Sequence, residues 1–387
     1  MIIKRILFTA IFCLLVFLIS CNYQNDLKTN KKFNNINIID VNPSEITTVK
    51  FSDIFKNFSI IPLQTSESCY LPEIEEILIC KENFIIKTTK SIFIFKLTGE
   101  YITKIDQIGK GPSEHEYISD ILIDEKNENI EFIDFYNWKL LQYDLTGNFI
   151  KAKKLPFFVD AFIKIDNNHY FLYTTDLNNI TDCKLNIYNF NKENVEFKSF
   201  PINTNHNEYL NFWKNTVFYN FDDRISFIIN PFDTIYEINN DIKYRYLINF
   251  GNNKIPANFY NKKYSDILDF SKKASARNYA YNIDRFYETD NFLFFQFKHK
   301  SKYKRAIYFK EFNKVKVVKF FIDDINSSNS IIKEHIWPKG HYNNKLIFAF
   351  EPIFLKEAYS ELFKNDNKLI DSINLNNNPV LFIGQTK

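Results

Sequence analysis

The residues best suited to chemistry are concentrated in one short stretch, 109–117 (GKGPSEHEY). It places Lys110, Glu114, His115 and Glu116 close together along the chain. Carboxylates beside an imidazole are groups that hold a divalent ion or transfer protons, so a binding loop is one hypothesis. The other is a connection whose glycines and proline shape the backbone while its charges are solvated. The connection is favoured, because neighbours along an extended chain point to opposite sides.

Recognised catalytic motifs do not occur in the sequence. The Gly-Lys-Gly run has neither the Walker spacing nor the helix that a phosphate-binding loop requires. No Cys/His zinc spacing and no Gly-x-Ser-x-Gly elbow is present. His335 and His341 are separated by a spacing that fits neither one helix face nor a zinc motif. The sequence therefore predicts no metal, no cofactor and no catalytic residue.

Two tryptophans are further candidates for binding. Trp138 and Trp213 sit beside polar turn residues rather than within apolar runs. Such side chains serve as stacking platforms for sugars or peptide side chains at recognition surfaces. Packing in the interior of the fold is the favoured alternative for both.

Composition limits the fold that must position these residues. The chain has 387 residues, 45% of them hydrophobic and 25% charged, which is typical of a globular protein of one large or two ordinary domains. A net charge of +3 argues against a nucleic-acid binder. The 42 Phe and 23 Tyr against only 7 Gly favour strands over helices. An all-β protein is expected.

The amino terminus is typical of an export signal. Lys4 and Arg5 precede an apolar run over Ile6–Ile19, which is shorter than the roughly 20 residues that span a bilayer, so a transmembrane anchor is less favoured. Residues 18–21 (LISC) resemble a bacterial lipobox. We therefore predict a signal peptide over 1–20, lipidation of Cys21 and a flexible tether over 21–45.

Three cysteines would remain in the mature domain, namely Cys69, Cys80 and Cys183. An odd number cannot be fully paired. A bridge between Cys69 and Cys80 is possible in an oxidising envelope, and free buried thiols are at least as well supported.

An internal repeat decides the predicted fold. Residues 91–105 (SIFIFKLTGEYITKI) match residues 139–153 (KLLQYDLTGNFIKAK) at a shift of 48 positions. Each copy has two alternating strands around a tight turn with glycine, which predicts a β-hairpin. The aromatic residue before the turn recurs at three positions: Tyr143, Tyr188 and Tyr236. A period of this length is typical of propeller blades.

Two more units follow an interruption. A fifth hairpin is predicted at Ala306–Phe309 and Val315–Phe321, after a gap longer than the period. Apolar residues at helical spacing in that gap predict a helical insertion over 256–287, between units four and five. The sixth unit is built from strands at 345–350 and 380–383 and a short helix at 355–363.

The first strand of the predicted domain has no partner in its own unit. Residues 58–63 (FSIIPL) precede the first repeat, whereas the last unit lacks one strand. Pairing the two would close the ring and remove an open edge. We therefore predict a closed six-bladed β-propeller over 46–387, which is favoured over an open solenoid.

Several segments together resemble a known family. They are the lipobox ending in Cys21, the strand 55–64 with its Ile-Pro-Leu, the turn 97–100 (LTGE), the stretch 108–114 (IGKGPSE), the segment 133–145, and in the fourth unit 233–236 (DTIY), 250–251 (FG) and 255–256 (IP). On these residues the chain resembles the six-bladed β-propeller lipoproteins of Bacteroidetes from about Lys50 to its end. The resemblance implies fold and location and transfers no catalytic residue.

The expected function follows from that architecture. Loops of all blades meet at one end of a propeller's central channel, so we expect a module that binds a glycan, a peptide or an envelope protein at this axial face. The alternatives are a propeller enzyme, a lyase or hydrolase with a polar or metal site at the axis, and a structural subunit of an outer-membrane complex. The expected location is the outer membrane, with the periplasmic or surface face left open.

Overall fold

The computed structural model describes residues 36–175, 180–202, 217–221, 224–229, 233–238, 242–326, 330–332, 336–358 and 373–387. In chain order the strands are β1 (Asn37–Asp40), β2 (Ile46–Lys50), β3 (Phe55–Pro62), β4 (Glu76–Cys80), β5 (Asn83–Lys87), β6 (Ile92–Lys96), β7 (Tyr101–Ile105), β8 (Ile118–Asp124), β9 (Asn129–Asp134), β10 (Lys139–Asp144), β11 (Phe149–Lys154), β12 (Ala161–Lys164), β13 (His169–Tyr173), β14 (Cys183–Asn189), β15 (Asn194–Pro201), β16 (Phe218–Phe221), β17 (Arg224–Ile228), β18 (Thr234–Ile238), β19 (Ile242–Asn249), β20 (Ala280–Glu288), β21 (Phe292–His299), β22 (Lys302–Phe309), β23 (Lys314–Asp323), β24 (Ser330–Ile332), β25 (Gly340–Tyr342), β26 (Lys345–Phe350) and β27 (Val380–Thr386). The α-helices are α1 (Ala257–Tyr260), α2 (Ile267–Ala276) and α3 (Pro352–Ala358).

Within the described residues these strands form six sheets, which are the blades of a β-propeller. Blades one to five contain β4–β7, β8–β11, β12–β15, β16–β19 and β20–β23, and blade six contains β25, β26, β27 and β3. The first strands of neighbouring blades contact one another at four junctions, β4 with β25, β8 with β12, β12 with β16 and β16 with β20, which places them around the central axis. The predicted all-β, six-bladed fold is confirmed.

The blades pack face to face through apolar side chains. Ile85 and Ile94 of blade one meet Ile130 and Leu141 of blade two in one cluster, and all four are fully buried. Phenylalanines dominate the cluster between blades five and six, where Phe294 packs with residues of β26 and β27. The high aromatic content of the chain is therefore used between blades, where large rings bury much apolar area.

The ring closes through its amino-terminal segment, as predicted. Strand β3 runs antiparallel to β27, with Pro62 opposite Val380 and Phe58 opposite Gly384. Because the first blade-forming strand completes the last blade, no unpaired edge remains at this junction.

Two strands before the closing strand also join the sheets. Strand β1 pairs in parallel with β19 of blade four, and β2 pairs in parallel with β23 of blade five. Ile39 and Val49 bury their side chains there. The predicted tether over 21–45 is therefore too long, because residues 37–40 gain strand hydrogen bonds and an apolar contact, and the propeller begins ahead of position 46.

The helical insertion lies between blades four and five, where it was predicted, but it is shorter. Helices α1 and α2 pack Phe259 against Phe270, with ring centroids 5.4 Å apart. The Asp266 side chain caps α2 by accepting a hydrogen bond from the Asp269 N–H at 2.8 Å. Residues 280–287 belong to β20, because they pair with β21 instead of continuing the helix. None of the described helices is long and apolar enough to span a membrane.

The repeated turn glycines occupy backbone conformations that suit glycine. Gly99 and Gly147 have φ angles of 88° and 83°, in the left-handed region. A Cβ on Gly99 would lie 2.1 Å from the carbonyl oxygen of Pro62 in the closing strand. The first hairpin turn thus packs directly against the ring closure.

The cysteines of the domain are free thiols. Cys69 and Cys80 are both buried and are not joined to each other, and Cys183 is half-buried. The Cys69 thiol donates to the backbone oxygen of Gln64 at 3.2 Å. Of the two alternatives for Cys69 and Cys80, the structure has free buried thiols.

Candidate functional site

A cavity of about 370 Å³ lies on the propeller axis. Its wall comes from the first strands of all six blades, with Glu76, Asp120, Phe162, Tyr219, Tyr287 and His341 as one contribution from each. This volume is within the usual range for small-molecule sites. The axis is therefore the place in the described structure where six separate chain segments meet around one open space.

Two carboxyl groups that line this cavity have raised pKa values. Burial and the neighbouring Asp120 raise the pKa of Glu76 to about 8. Burial also raises the pKa of Asp120 to about 7, although the N–H of Phe162 donates to its carboxylate at 2.9 Å. Near pH 7 Glu76 is therefore mostly protonated and Asp120 about half protonated, whereas ordinary carboxyl groups are ionised there.

A third carboxyl group lies next to this pair. Burial raises the pKa of Asp160 to about 7, and Asp120 adds to the shift by charge repulsion. The N–H of Thr175 donates to its carboxylate at 3.1 Å. The charge of Lys87 acts against the shift at both Glu76 and Asp120, and that of Arg285 does so at Glu76, but the Lys87 ammonium is ion-paired with Glu75. Neither cation forms an ion pair with Glu76 or Asp120 among the described residues, and their charges do not restore the usual pKa of either group.

Aromatic rings complete the axial wall. Tyr219 and Tyr287 are buried with their ring centroids 6.4 Å apart, and burial raises the pKa of both phenols. The His341 ring contacts Tyr287 edge-on and uses Nε2 to bond the backbone oxygen of Asn220. Burial lowers the pKa of His341, which favours the neutral imidazole. His341 therefore packs in the cavity wall and does not form a metal site with the carboxyl groups.

No group of three or more His, Cys, Asp or Glu side chains within the described residues has the geometry to hold a metal ion. The cavity wall instead combines carboxyl groups with aromatic faces. Carboxylates attract cations by charge, and aromatic faces attract them through the ring quadrupole. The arrangement is chemically suited to an ammonium or guanidinium group.

The stretch 109–117, for which a connection was favoured over a binding loop, joins blades one and two and forms hydrogen bonds within itself. The Glu114 carboxylate accepts a hydrogen bond from the Gly111 N–H at 2.8 Å, and Lys139 donates to the backbone oxygen of Glu114 at 2.5 Å. His115 is fully buried, with Nε2 2.8 Å from the Lys90 carbonyl oxygen, and burial lowers its pKa.

The other two residues of this stretch are less enclosed. The Glu116 N–H donates to the Asp134 carboxylate at 3.2 Å, and Lys110 is exposed. The structure therefore does not bring Lys110, Glu114, His115 and Glu116 together around one space.

The remaining predicted site residues do not line the axial cavity where the structure describes them. Trp138 is half-buried in the turn between β9 and β10, where it packs against the cluster between blades two and three. Its φ of 53° is left-handed, and its carbonyl accepts a hydrogen bond from Leu155 at 2.8 Å. Trp213 and Cys21 lie outside the described residues.

Sequence reasoning missed the axial carboxyls, although a signal is present. An acidic residue directly precedes Ile-Leu-Ile at Glu76 and again at Asp120, and Asp160 precedes Ala-Phe-Ile at the start of the next blade. An acid next to an apolar inner strand, repeated in each of the first three blades, is a pattern that could have indicated side chains that point to the axis. The longer hairpin repeat concealed this shorter one.

Comparisons with known proteins agree with this architecture. A family model described as a domain of unknown function (DUF4934) matches residues 33–385. A crystal structure of a Bacteroides fragilis protein described as exported is similar with a TM-score of 0.72 at 18% identity, covering 91% of this chain and all of that one (100%). A member of the DUF4221 family from Bacteroides vulgatus is similar with a TM-score of 0.51 at 9% identity, covering 89% and 99% of the two chains. Among proteins with curated descriptions, none matches the sequence.

Proposed function

The chain belongs to the DUF4934 family, and we propose that it is an envelope-anchored lipoprotein whose propeller binds a ligand with an ammonium or guanidinium group in the axial cavity. The observation that carries the proposal is the set of ionisable groups in the cavity wall. Glu76, Asp120 and Glu125 line it without any lysine or arginine, and Tyr219 and Tyr287 add aromatic faces. A small amine or the basic side chain of a peptide suits this wall.

The raised pKa values of the two carboxyl groups predict how the affinity of the site for cationic and for neutral ligands would depend on pH. A bound cation compensates the ionised carboxylates and so takes the place of their protons. Because the pKa of Asp120 is about 7 and that of Glu76 about 8, the empty site holds protons that a cation must displace. Affinity for a cation is therefore expected to rise with pH until both groups ionise and to fall in acid, whereas affinity for a neutral ligand that displaces no proton should change little.

Thermal unfolding of the full-length chain in non-ionic detergent tests this. Agmatine and benzylammonium are the cationic probes, and a neutral glucose oligomer and an acetylated peptide without basic residues are the comparison. A ligand at about 100 times its Kd should stabilise the folded state by about 2.7 kcal/mol. We expect a cation to raise the unfolding midpoint more at about pH 8.5 than at about pH 6, because each displaced proton weakens binding up to about tenfold per pH unit below the pKa.

The variants Glu76→Gln and Asp120→Asn keep the size of each side chain and remove its charge. Each should abolish most of the cation-dependent shift. The matched control is Glu100→Gln, whose side chain is 58% exposed on the outer turn of blade one and should leave the shift unchanged. A shift caused only by the neutral oligomer, or an equal shift in all variants, would reject the cationic ligand.

The catalytic alternative rests on the same carboxyl groups. A carboxyl group that stays protonated in the neutral range is what general acid catalysis requires. Consumption of a probe during the same incubations, lost in Asp120→Asn, would favour an axial hydrolase or lyase over a binding module.

Membrane anchoring is the second part of the proposal and rests on the sequence around Cys21. Acyl chains on this cysteine would hold the propeller on a membrane, since each buried CH₂ contributes about 0.8 kcal/mol. We expect the wild-type chain to sediment with the outer-membrane fraction and Cys21→Ser to be lost from it. Cys183→Ser removes a half-buried thiol of the propeller and should sediment like the wild type. Equal sedimentation of all three proteins would argue against lipidation at Cys21.

A further inference from the structure

A second cavity, of about 750 Å³, lies between blades five and six and is here called the basic groove. Its floor is a row of cross-strand neighbours in blade five, with Gln296 opposite Arg305 and Arg305 opposite Val318. Arg285 of β20 lies at its inner side, and the segment that leads from Trp337 into blade six forms the opposite side. The groove is thus built mainly by strands of blade five, with the segment that precedes β25 on its opposite side.

Positive charge dominates the groove. Six cationic side chains line it: Arg285, Lys302, Lys304, Arg305, Lys319 and Lys339. The one carboxylate in the lining is Glu73, whose side chain is 86% exposed and whose oxygen lies 4.0 Å from the Lys339 ammonium. Since the whole chain carries a net charge of only +3, this concentration is local to the groove.

The cations of the groove act on one another. Burial and the charge of Arg285 lower the pKa of Arg305 to about 10. Burial and Arg285 also lower the pKa of Lys339 to about 8. Three carboxylates act on Lys339 in the opposite direction, Glu73, Glu75 and Glu351, without restoring its usual pKa. Like charges held together out of water are unfavourable by themselves, and a bound anion would compensate them.

The backbone of β20 is irregular where it supplies the central arginine. Asn282 and Arg285 have φ angles of 56° and 48°, and the pairing of β20 with β21 shifts register on both sides of Asp284. Left-handed non-glycine residues inside a strand are costly and concentrate at functional sites. These two bulges interrupt the regular alternation of β20 at the position from which Arg285 lines the groove.

Apolar groups form the rest of the groove wall. Tyr303 is 42% exposed, Phe320 is half-buried, and Trp337 is buried behind them. Rings and aliphatic side chains beside the cations suit a ligand with an apolar framework, and they distinguish the groove from a surface that only attracts free inorganic ions.

We propose that the basic groove binds an organic anion that carries two or more oxyanion groups, carboxylate, sulfate or phosphate, on a ring or apolar framework. This site is separate from the axial cavity, which has acidic walls, and goes beyond the function proposed above.

Isothermal titration of the full-length chain in non-ionic detergent tests the proposal with benzene tricarboxylate, sulfate and inorganic phosphate. We expect the tricarboxylate to bind more tightly than either inorganic ion. Lys304→Ala combined with Lys319→Ala should weaken its binding at least about tenfold, because each change removes a charge-assisted contact. Arg285→Gln should weaken it by a similar factor.

Lys151→Ala combined with Lys154→Ala is the matched control, since both lysines are exposed on β11 of blade two. It makes the same change in net charge and should leave the affinity within about twofold. Asp120→Asn, which changes the axial cavity, should also leave the tricarboxylate affinity unchanged. Failure of the axial proposal can therefore be distinguished from failure of this one. Equal tricarboxylate affinity in the wild type and the groove variants would overturn the proposed site. Equal affinity for sulfate and the tricarboxylate would overturn the claim that the ligand has an apolar framework.

Discussion

Phe55→Ala should lower the free energy of unfolding by about 3–5 kcal/mol, measured by equilibrium denaturation of the full-length chain in non-ionic detergent. Phe55 begins the strand that closes the ring, and its side chain is 1% exposed. Its ring lies 4.7 Å from that of Phe58 and 5.8 Å from that of Phe348, measured between centroids. Truncation therefore leaves a cavity where the closing strand packs against the other strands of blade six.

Gly384 lies against the Phe55 ring and has no side chain that could move into the cavity left by truncation. A Cβ there would lie 2.6 Å from the Phe55 ring, so the phenylalanine already fills the space above the glycine. The control is Phe312→Ala, whose side chain is 68% exposed in a turn of blade five and should change stability by less than about 0.5 kcal/mol. Equal losses in the two variants would mean that closure of the ring does not depend on this packing.

Lys164→Met should destabilise the protein by about 3–5 kcal/mol, because it leaves a buried carboxylate without its cation. Glu131 is fully buried in blade two, and Lys164 of blade three donates to it at 2.6 Å and to Asp124 at 2.5 Å. Gln142 and Tyr170 also donate to Glu131, at 2.7 and 2.9 Å. The ion pair thus joins two blades within a hydrogen-bonded network.

Combining Lys164→Met with Glu131→Gln should recover part of the loss, because the buried negative charge is removed with its partner. Lys81→Met is the control, since it removes an ion pair with Glu128 in which both side chains are more than half exposed, at 57% and 52%. Such surface pairs contribute about 0–1 kcal/mol. A loss in Lys164→Met no larger than in Lys81→Met would show that the network does not couple the blades. Denaturation curves of the variants provide all of these values.

Local chemistry in the sequence was enough to predict the architecture. Hairpins are short-range units, so alternating strands around Gly99 and Gly147 could be identified and counted without knowing what they pack against. The helical insertion was predicted because the gap before the fifth hairpin is longer than the repeat period. The pairing of residues 58–63 with the last unit was predicted because these residues had no partner in their own unit and the last unit lacked one strand. Strands β1 and β2 were missed because they lie outside the repeat and pair in parallel with blades far along the chain.

The sites depended on tertiary structure. The GKGPSEHEY stretch has the residue types of a binding loop, but its folded backbone uses Glu114 and His115 for its own hydrogen bonds. Glu76 and Asp120 are ordinary acids in the sequence and acquire raised pKa values only when six inner strands enclose them. By itself the sequence determined the number and kind of blades, since hairpin formation is local. Which side chains share a cavity depends on the closed ring. The inner strands of all six blades must come together at the axis before these side chains meet and lose contact with solvent.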